Sequence, residues 1–175
     1  MLKPGDTAPL FDLACAFEDQ VSHLSLGGIR SDLVVIFFYP RDFSFICPTE
    51  VVGFHQAQAA FKTEHTSVVG ISVDDVETHR RWARELGGLS YPLLADQDGA
   101  IAHAYDVFDS RENVALRATF VLDAKREVAY AVASAINVGR SVSETLRVVR
   151  ALRTGMLCPA DWQPGGATGP ADLKF

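Results

Sequence analysis

Residues 33–39 read LVVIFFY: seven apolar residues without a break, rich in β-branched and aromatic types, between Ser31-Asp32 and Pro40. A strand with one wet face alternates apolar and polar residues, so an unbroken run of this kind is a strand buried on both faces. Such a strand belongs inside a sheet with other structure packed above and below it.

The chain on either side fits that placement. Val68 to Val73 (VVGISV) is a second buried strand, stopped by Asp74-Asp75. Thr119–Leu122 and Val128–Val132 flank Asp123-Ala124-Lys125-Arg126 as a hairpin. After Pro48, the residues Val51, Phe54, Ala57 and Phe61 recur at helical spacing. A second helix runs from about Val76 to Leu86, with Val76, His79, Ala83 and Leu86 on one face, and Gly87-Gly88 ends it. Ser141-Val142-Ser143-Glu144 is a capping-box pattern that opens a last helix, with Val142, Leu146 and Val149 inside and Gly155 as its stop. The order predicts an α/β sandwich with a mixed central sheet. Residues 1–158 are expected to form one domain without internal repeats. Residues 159–175 (PADWQPGGATGPADLKF) are Gly/Pro-rich and are expected to form a mobile arm unless they dock.

At 175 residues and 19.0 kDa the chain is the size of a single domain that needs no disulfide staples. Its apolar fraction of 48% and charged fraction of 22% are those of a globular protein. A net charge of −6 and a pI near 5.3 argue against a general nucleic-acid or anionic-membrane binder. No apolar run approaches the roughly 18 residues of a membrane span. The start, MLKPGDTAPLFDL, lacks a basic region followed by an apolar stretch, so no signal peptide is expected and a cytoplasmic location is the default. There are three cysteines, Cys15, Cys47 and Cys158, and no C-x-x-C pair, which argues against both a zinc site and a thioredoxin-type dithiol.

Placement singles out Cys47. The buried strand ends at Pro40, and a helix begins near Cys47, because Pro48 fits only a first turn. The unpaired N–H groups there favour an anion such as a thiolate. The gain is bounded. An ordinary thiol is a few per cent ionised at pH 7, so complete ionisation multiplies the nucleophile by at most roughly 30-fold. A helix terminus supplies about 0.3–1 kcal/mol, up to about 2 in a partly buried site. A cation is therefore needed as well, and large acceleration must come from stabilising charge that develops in the transition state. Ser44 is placed either to turn its hydroxyl toward the sulfur or substrate or to cap the helix; the two roles are compatible. Glu50 would oppose a thiolate unless an arginine held it off the sulfur. Arg117 and Arg140, each at the start of an element, are candidates for that pairing, although the ordinary role of an arginine is a solvated surface charge. His55 is two turns along the helix, roughly 12 Å from Cys47, too far to act as its base. His79 is expected to be a satisfied core histidine, and Trp82 and Phe43 core or contact aromatics.

The stretch FFYPRDFSFICPTE (residues 37–50) resembles the peroxidatic segment of the peroxiredoxins, with Pro40, Ser44 and Cys47 in the P-x-x-x-S-x-x-C pattern. MLCPADW (residues 156–162) resembles the segment that carries the resolving cysteine of typical two-cysteine members. GISVDDVETHRRWA, YPLLAD, LRATFVLD and NVGRSVSETLR also resemble their family counterparts, so the likeness covers about Pro4 to Trp162. It is nearest to the group that includes the peroxidase subunit of bacterial alkyl hydroperoxide reductase.

That resemblance implies a thioredoxin-like fold with N-terminal additions and no metal, haem or flavin. It implies that Cys47 attacks hydrogen peroxide or an organic hydroperoxide and becomes a sulfenic acid. By it, Ser44 and Arg117 hold the peroxide, Pro40 shields the pocket, and Glu50 and Arg140 support Arg117. Cys158 of a partner subunit would form the disulfide, and a thioredoxin-like protein or a flavoprotein disulfide reductase would reset it. Homodimers joined into rings of five dimers are implied, with Phe43–Phe45 near that contact. A chaperone-like assembly with little turnover is the alternative. A thiol-disulfide reductase is a third reading, which the missing C-x-x-C opposes. Two departures stand out. Ser90 replaces the last Gly of a G-G-L-G segment linked to easy overoxidation, and the ending at Phe175 carries no Tyr-Phe helix, so Cys47 is expected to resist overoxidation. Cys15 has no family role and is expected to be structural.

Overall fold

The computed structural model describes residues 1–172. Residues 173–175, which close the arm and include the ending invoked for overoxidation, lie outside the described residues. The strands are β1 (Asp12–Phe17), β2 (Gln20–Ser25), β3 (Leu33–Phe38), β4 (Thr66–Ser72), β5 (Leu93–Ala95), β6 (Phe108–Asp109), β7 (Val114–Ala115), β8 (Arg117–Leu122) and β9 (Val128–Ser134). The α-helices are α1 (Cys47–Thr63), α2 (Val76–Glu85), α3 (Ala100–Ala104) and α4 (Val142–Thr154).

Seven strands form one mixed sheet in the order β2-β1-β5-β4-β3-β8-β9. β3 is parallel to β4 and antiparallel to β8, and all six of its residues are buried. Its side chains divide between two cores. Val34, Ile36 and Phe38 pack with Tyr105, Phe120 and Leu122 on one face. Val35, Phe37 and Tyr39 pack on the other with Val51 and Phe54 of α1, Trp82 of α2 and Val149 of α4. This is the two-sided burial that the unbroken apolar run requires.

Two features of the topology place the chemistry. β8 runs antiparallel to β3 with Ala118 opposite Phe38, so Arg117 lies where β3 ends and the loop to α1 begins. α1 and α4 run side by side in the same direction. A Cβ on Gly53 would sit 3.1 Å from Val142 near the helix starts, and Glu64 meets Arg150 at 3.2 Å near their ends. The last helix starts as expected, with the Ser141 hydroxyl accepting from the Glu144 N–H at 3.1 Å and Gly155 in the left-handed conformation at its end. Glu144 turns its carboxylate to Arg147 at 2.6 Å.

The segment after Cys158 docks. Leu157 and Gly169 exchange backbone hydrogen bonds of 3.0 and 2.8 Å, Trp162 is buried, and its carbonyl accepts from Arg147 of α4 at 3.3 Å. Among the described residues no helix is long and apolar enough to cross a membrane.

Candidate active site

Cys47 is the first residue of α1 and Pro48 the second, where a missing N–H leaves no bond unmade. Cys47 is fully buried. The Ser44 hydroxyl accepts from the Cys47 N–H at 3.3 Å, so it does what a cap does, from the loop three residues ahead of the first helical residue. Pro40 is buried at the end of β3.

The cation that the thiol was expected to need is Arg117. Its Nη1 lies 3.2 Å from Cys47 Sγ and donates to Glu50 Oε2 at 2.8 Å, while its Nε donates to the Ile136 carbonyl at 2.8 Å. Glu50 is gripped from its other side by Arg140, whose backbone N–H and Nε reach Oε1 at 2.8 and 3.1 Å. Arg140 also donates to the carbonyls of Phe38 and Ala118, at 2.6 and 2.9 Å, and to the Thr119 hydroxyl at 3.1 Å. Arg140 therefore ties the ends of β3 and β8 to α1. Both guanidinium groups and the carboxylate are almost wholly shut off from water. Burial lowers the Arg140 pKa from its ordinary value, and the Glu50 charge pulls against that change. Two positive charges and one negative charge leave the dry cluster at +1 beside the sulfur. Neither arginine is the solvated surface charge of the ordinary case.

Cys158 is elsewhere. Its half-buried thiol lies 3.4 Å from Thr154 Oγ1 and 3.8 Å from the Ala151 carbonyl, in the last turn of α4. Because α1 and α4 run in the same direction, Cys158 is near the far end of α1 from Cys47. Seventeen residues at 1.5 Å each make α1 about 25 Å long, against the 4.4–6.8 Å between Cα atoms of a disulfide. Cys15 is buried in β1, with its sulfur 3.2 Å from the Ser22 hydroxyl across the hairpin.

One part of the site was not expected. The Tyr39 hydroxyl donates to Asp42 Oδ1 at 2.8 Å, and His79 Nδ1 meets Asp42 Oδ2 at 2.7 Å. His79 Nε2 donates to the Leu94 carbonyl at 3.1 Å, and the Asp42 N–H donates to Asp74 at 2.9 Å. Burial raises the Asp42 pKa, with His79 pulling it back; burial and the Asp42 charge raise that of Tyr39. His79 is thus a satisfied core histidine, as its helix face predicted, but its partner is a carboxylate in the loop that carries Pro40 and Ser44. Nothing in the local pattern distinguishes Asp42 from a surface loop carboxylate. Trp82 is core, while Phe43 is half-exposed against it and Phe45 is 95% exposed.

A model of the AhpC/TSA family matches residues 4–131 of this chain. A Pyropia yezoensis protein, ycf42, whose name places it among the peroxiredoxins, is 39% identical, over 99% of this chain and 92% of its own. Among solved structures, the reduced 2-Cys peroxiredoxin of Plasmodium vivax aligns with TM-score 0.89 and 32% identity, over 96% of this chain and 93% of its own. Mycobacterium tuberculosis AhpC aligns with TM-score 0.84 and 30% identity, over 93% of this chain and 99% of its own.

Proposed function

The chain belongs to the AhpC/TSA family, the peroxiredoxins, and is a thiol-dependent peroxidase of the oxidoreductase class; on that premise we propose that Cys47 is its peroxidatic nucleophile. The observation that carries this reading is the 3.2 Å contact between Arg117 and the Cys47 sulfur inside a buried cluster of net charge +1, which a thiolate would neutralise.

The thiolate attacks the terminal oxygen of hydrogen peroxide or an organic hydroperoxide. An S–O bond forms as the O–O bond breaks. The leaving oxygen takes a proton and departs as water or alcohol, and Cys47 is left as sulfenic acid, oxidised by two electrons. Arg117 and Ser44 hold the peroxide oxygens and stabilise the charge as it moves from sulfur to oxygen. Pro40 keeps water out, and Glu50 and Arg140 position Arg117. Cys47 is fully buried, so the loop between β3 and α1 must shift to admit peroxide.

Cys158 of a second copy then attacks the sulfenic sulfur, a disulfide forms, and water leaves. The roughly 25 Å that separate the ends of α1 support a pairing between copies over one within a copy. Residues 159–175 act as the arm on the 1–158 domain that releases Cys158. A homodimer is supported by β9, an edge strand with Val132 exposed, and by exposed Ile136 and Val138 just beyond it. The exposed Phe43 and Phe45 would join dimers into rings of five. A thioredoxin-like dithiol or a flavoprotein disulfide reductase returns both cysteines to thiols, and a reducing cytoplasm suits three unpaired cysteines. The Arg117–Cys47 contact favours this reading over a chaperone-like assembly, which has no use for it.

The test is intact mass without reductant after one equivalent of hydrogen peroxide. A covalent dimer near twice 19.0 kDa, absent in Cys47→Ser and in Cys158→Ser, is expected. A monomer that keeps one added oxygen would reduce the reading to a one-cysteine peroxidase, and an unchanged mass would overturn it.

A further inference from the structure

Outside the site, the sheet has a notch. β5 pairs with β4 only from Gly70 to Ser72, and β1 meets β5 only at Cys15 and Ala16. The first residues of β4, Thr66 to Val69, therefore have no strand on that side. The gap opens into a cavity of about 350 Å³ under the β1–β2 hairpin. Its walls include Phe17, Leu24, Ile29, Val68, Val69 and Tyr91, and the Cys15 sulfur faces Ser22 at its edge.

Arg30 and Lys62 are in its lining and no acidic residue is, in a chain whose net charge is −6; His23, also in the lining, faces Asp12 at 3.4 Å. Asp32, which adjoins Arg30 and Lys62, pairs with Arg153 at 2.9 Å, and Glu64 pairs with Arg150 at 3.2 Å. Arg30 and Lys62 have no carboxylate partner among the described residues. A closed apolar pocket would not gather unpaired cations in its lining.

We propose that this notch binds a free medium-chain carboxylate, with the alkyl chain against the β4 wall and the head group between Arg30 and Lys62. A volume of about 350 Å³ falls in the range of small-ligand pockets, which suits a medium chain rather than a long one. None of its lining residues belongs to the peroxide site, so the proposal stands apart from the catalytic reading.

The test is calorimetric titration of the reduced full-length protein with decanoate kept below its micelle concentration, beside Lys62→Glu and Arg30→Glu. Both side chains are exposed, so each variant should fold, with circular dichroism as the check and peroxide turnover unchanged. Saturable one-to-one binding is expected, weakened at least about tenfold in each variant and for decanol in place of decanoate. Bound decanoate should also slow maleimide labelling of Cys15 several-fold in wild type. Absence of saturable binding would overturn the proposal. So would affinity indifferent to both charge reversals, binding that leaves Cys15 labelling unchanged, or binding seen only with phosphatidylglycerol vesicles, which would assign Arg30 and Lys62 to a membrane surface.

Discussion

Glu50 carries a negative charge close to a buried thiol and is tied off by two arginines. A free carboxylate near the sulfur would oppose a thiolate; tied between Arg117 and Arg140, it fixes the guanidinium that faces Cys47. Replacing it removes the only negative charge from a buried pair of positive ones. Glu50→Gln should therefore lower unfolding stability by about 3–5 kcal/mol, the usual result of stripping a buried charge of its partner. The urea midpoint measures this, and a change below about 1 kcal/mol would mean that water reaches the cluster. Arg117→Lys keeps the charge but loses the planar fork that spans Glu50, Ile136 and the sulfur. Its second-order rate with hydrogen peroxide should fall by roughly 10²–10³, the range for losing one preorganised donor. A rate within threefold of wild type would remove Arg117 from the transition state. At this scale the sequence was informative where chemistry is local. Cys47 at a helix start, and a Glu50 that needed arginine, follow from the order of residues alone. The Tyr39–Asp42–His79 network does not, because it joins a loop to a helix 37 residues away in the chain, and only the fold decides that they meet.

Elements meet where small residues allow it. A Cβ on Gly70 of β4 would lie 2.7 Å from Phe37 and 2.9 Å from Leu93, in the layer where Phe37 stacks on Phe54. Gly70→Ala should lower stability by about 1–3 kcal/mol by overpacking, read from thermal or urea unfolding; a stabilised variant would show that this layer has room to spare. Ahead of Glu50, the start of α1 has fewer ties besides the Arg117 contact to the Cys47 sulfur. One 3.3 Å bond from the Cys47 N–H to Ser44 and a turn around Thr49 and Ile46 secure it, while Phe43 in the loop before it adopts φ +53°, a left-handed value unfavourable for a bulky residue. Further along, Ser90 is laced to α1 through His55 and Gln58, with bonds of 2.9 and 3.3 Å. The residues ahead of Glu50 can thus unwind while the helix from Glu50 onward stays. On the proposed cycle, fast release of Cys47 to Cys158 should leave little sulfinic acid after a modest excess of peroxide. Mass spectrometry finding most of Cys47 as sulfinic acid would contradict it. The long elements were legible because their periods differ. The β1–β2 hairpin was not, since it turns through Glu18 and Asp19 at φ +49° and +60° without the glycine that usually marks such a turn. β5, at three residues, is too short to show a period.

At the scale of the whole molecule, the buried phenols make the fold sensitive to alkali. Of the four tyrosines, Tyr39, Tyr91 and Tyr105 are at most 1% exposed, and burial raises the pKa of each above its ordinary value. Tyr130, on the edge strand β9, is less deeply placed and its pKa rises for the same reason. The sign follows from linkage. Below pH 10 both states hold the phenolic protons and the three core tyrosines contribute no pH dependence. Above pH 10 the unfolded chain releases them while the folded chain holds them to higher pH, so stability falls as pH rises until the folded phenols also ionise. Each tyrosine contributes about 1.4 kcal/mol per pH unit, and the three together about 4. A domain of ordinary stability, about 5–15 kcal/mol, would reach its unfolding midpoint between roughly one and four units above pH 10. The phenolate absorbance of the core tyrosines should therefore appear in step with the loss of helical circular dichroism, with at most the Tyr130 signal preceding it. Three phenolates formed in a chain that keeps its helical signal would show that the two cores on either side of β3 admit water, and would undo the argument that the Arg117–Glu50–Arg140 cluster, beside the core that α1 covers, is dry.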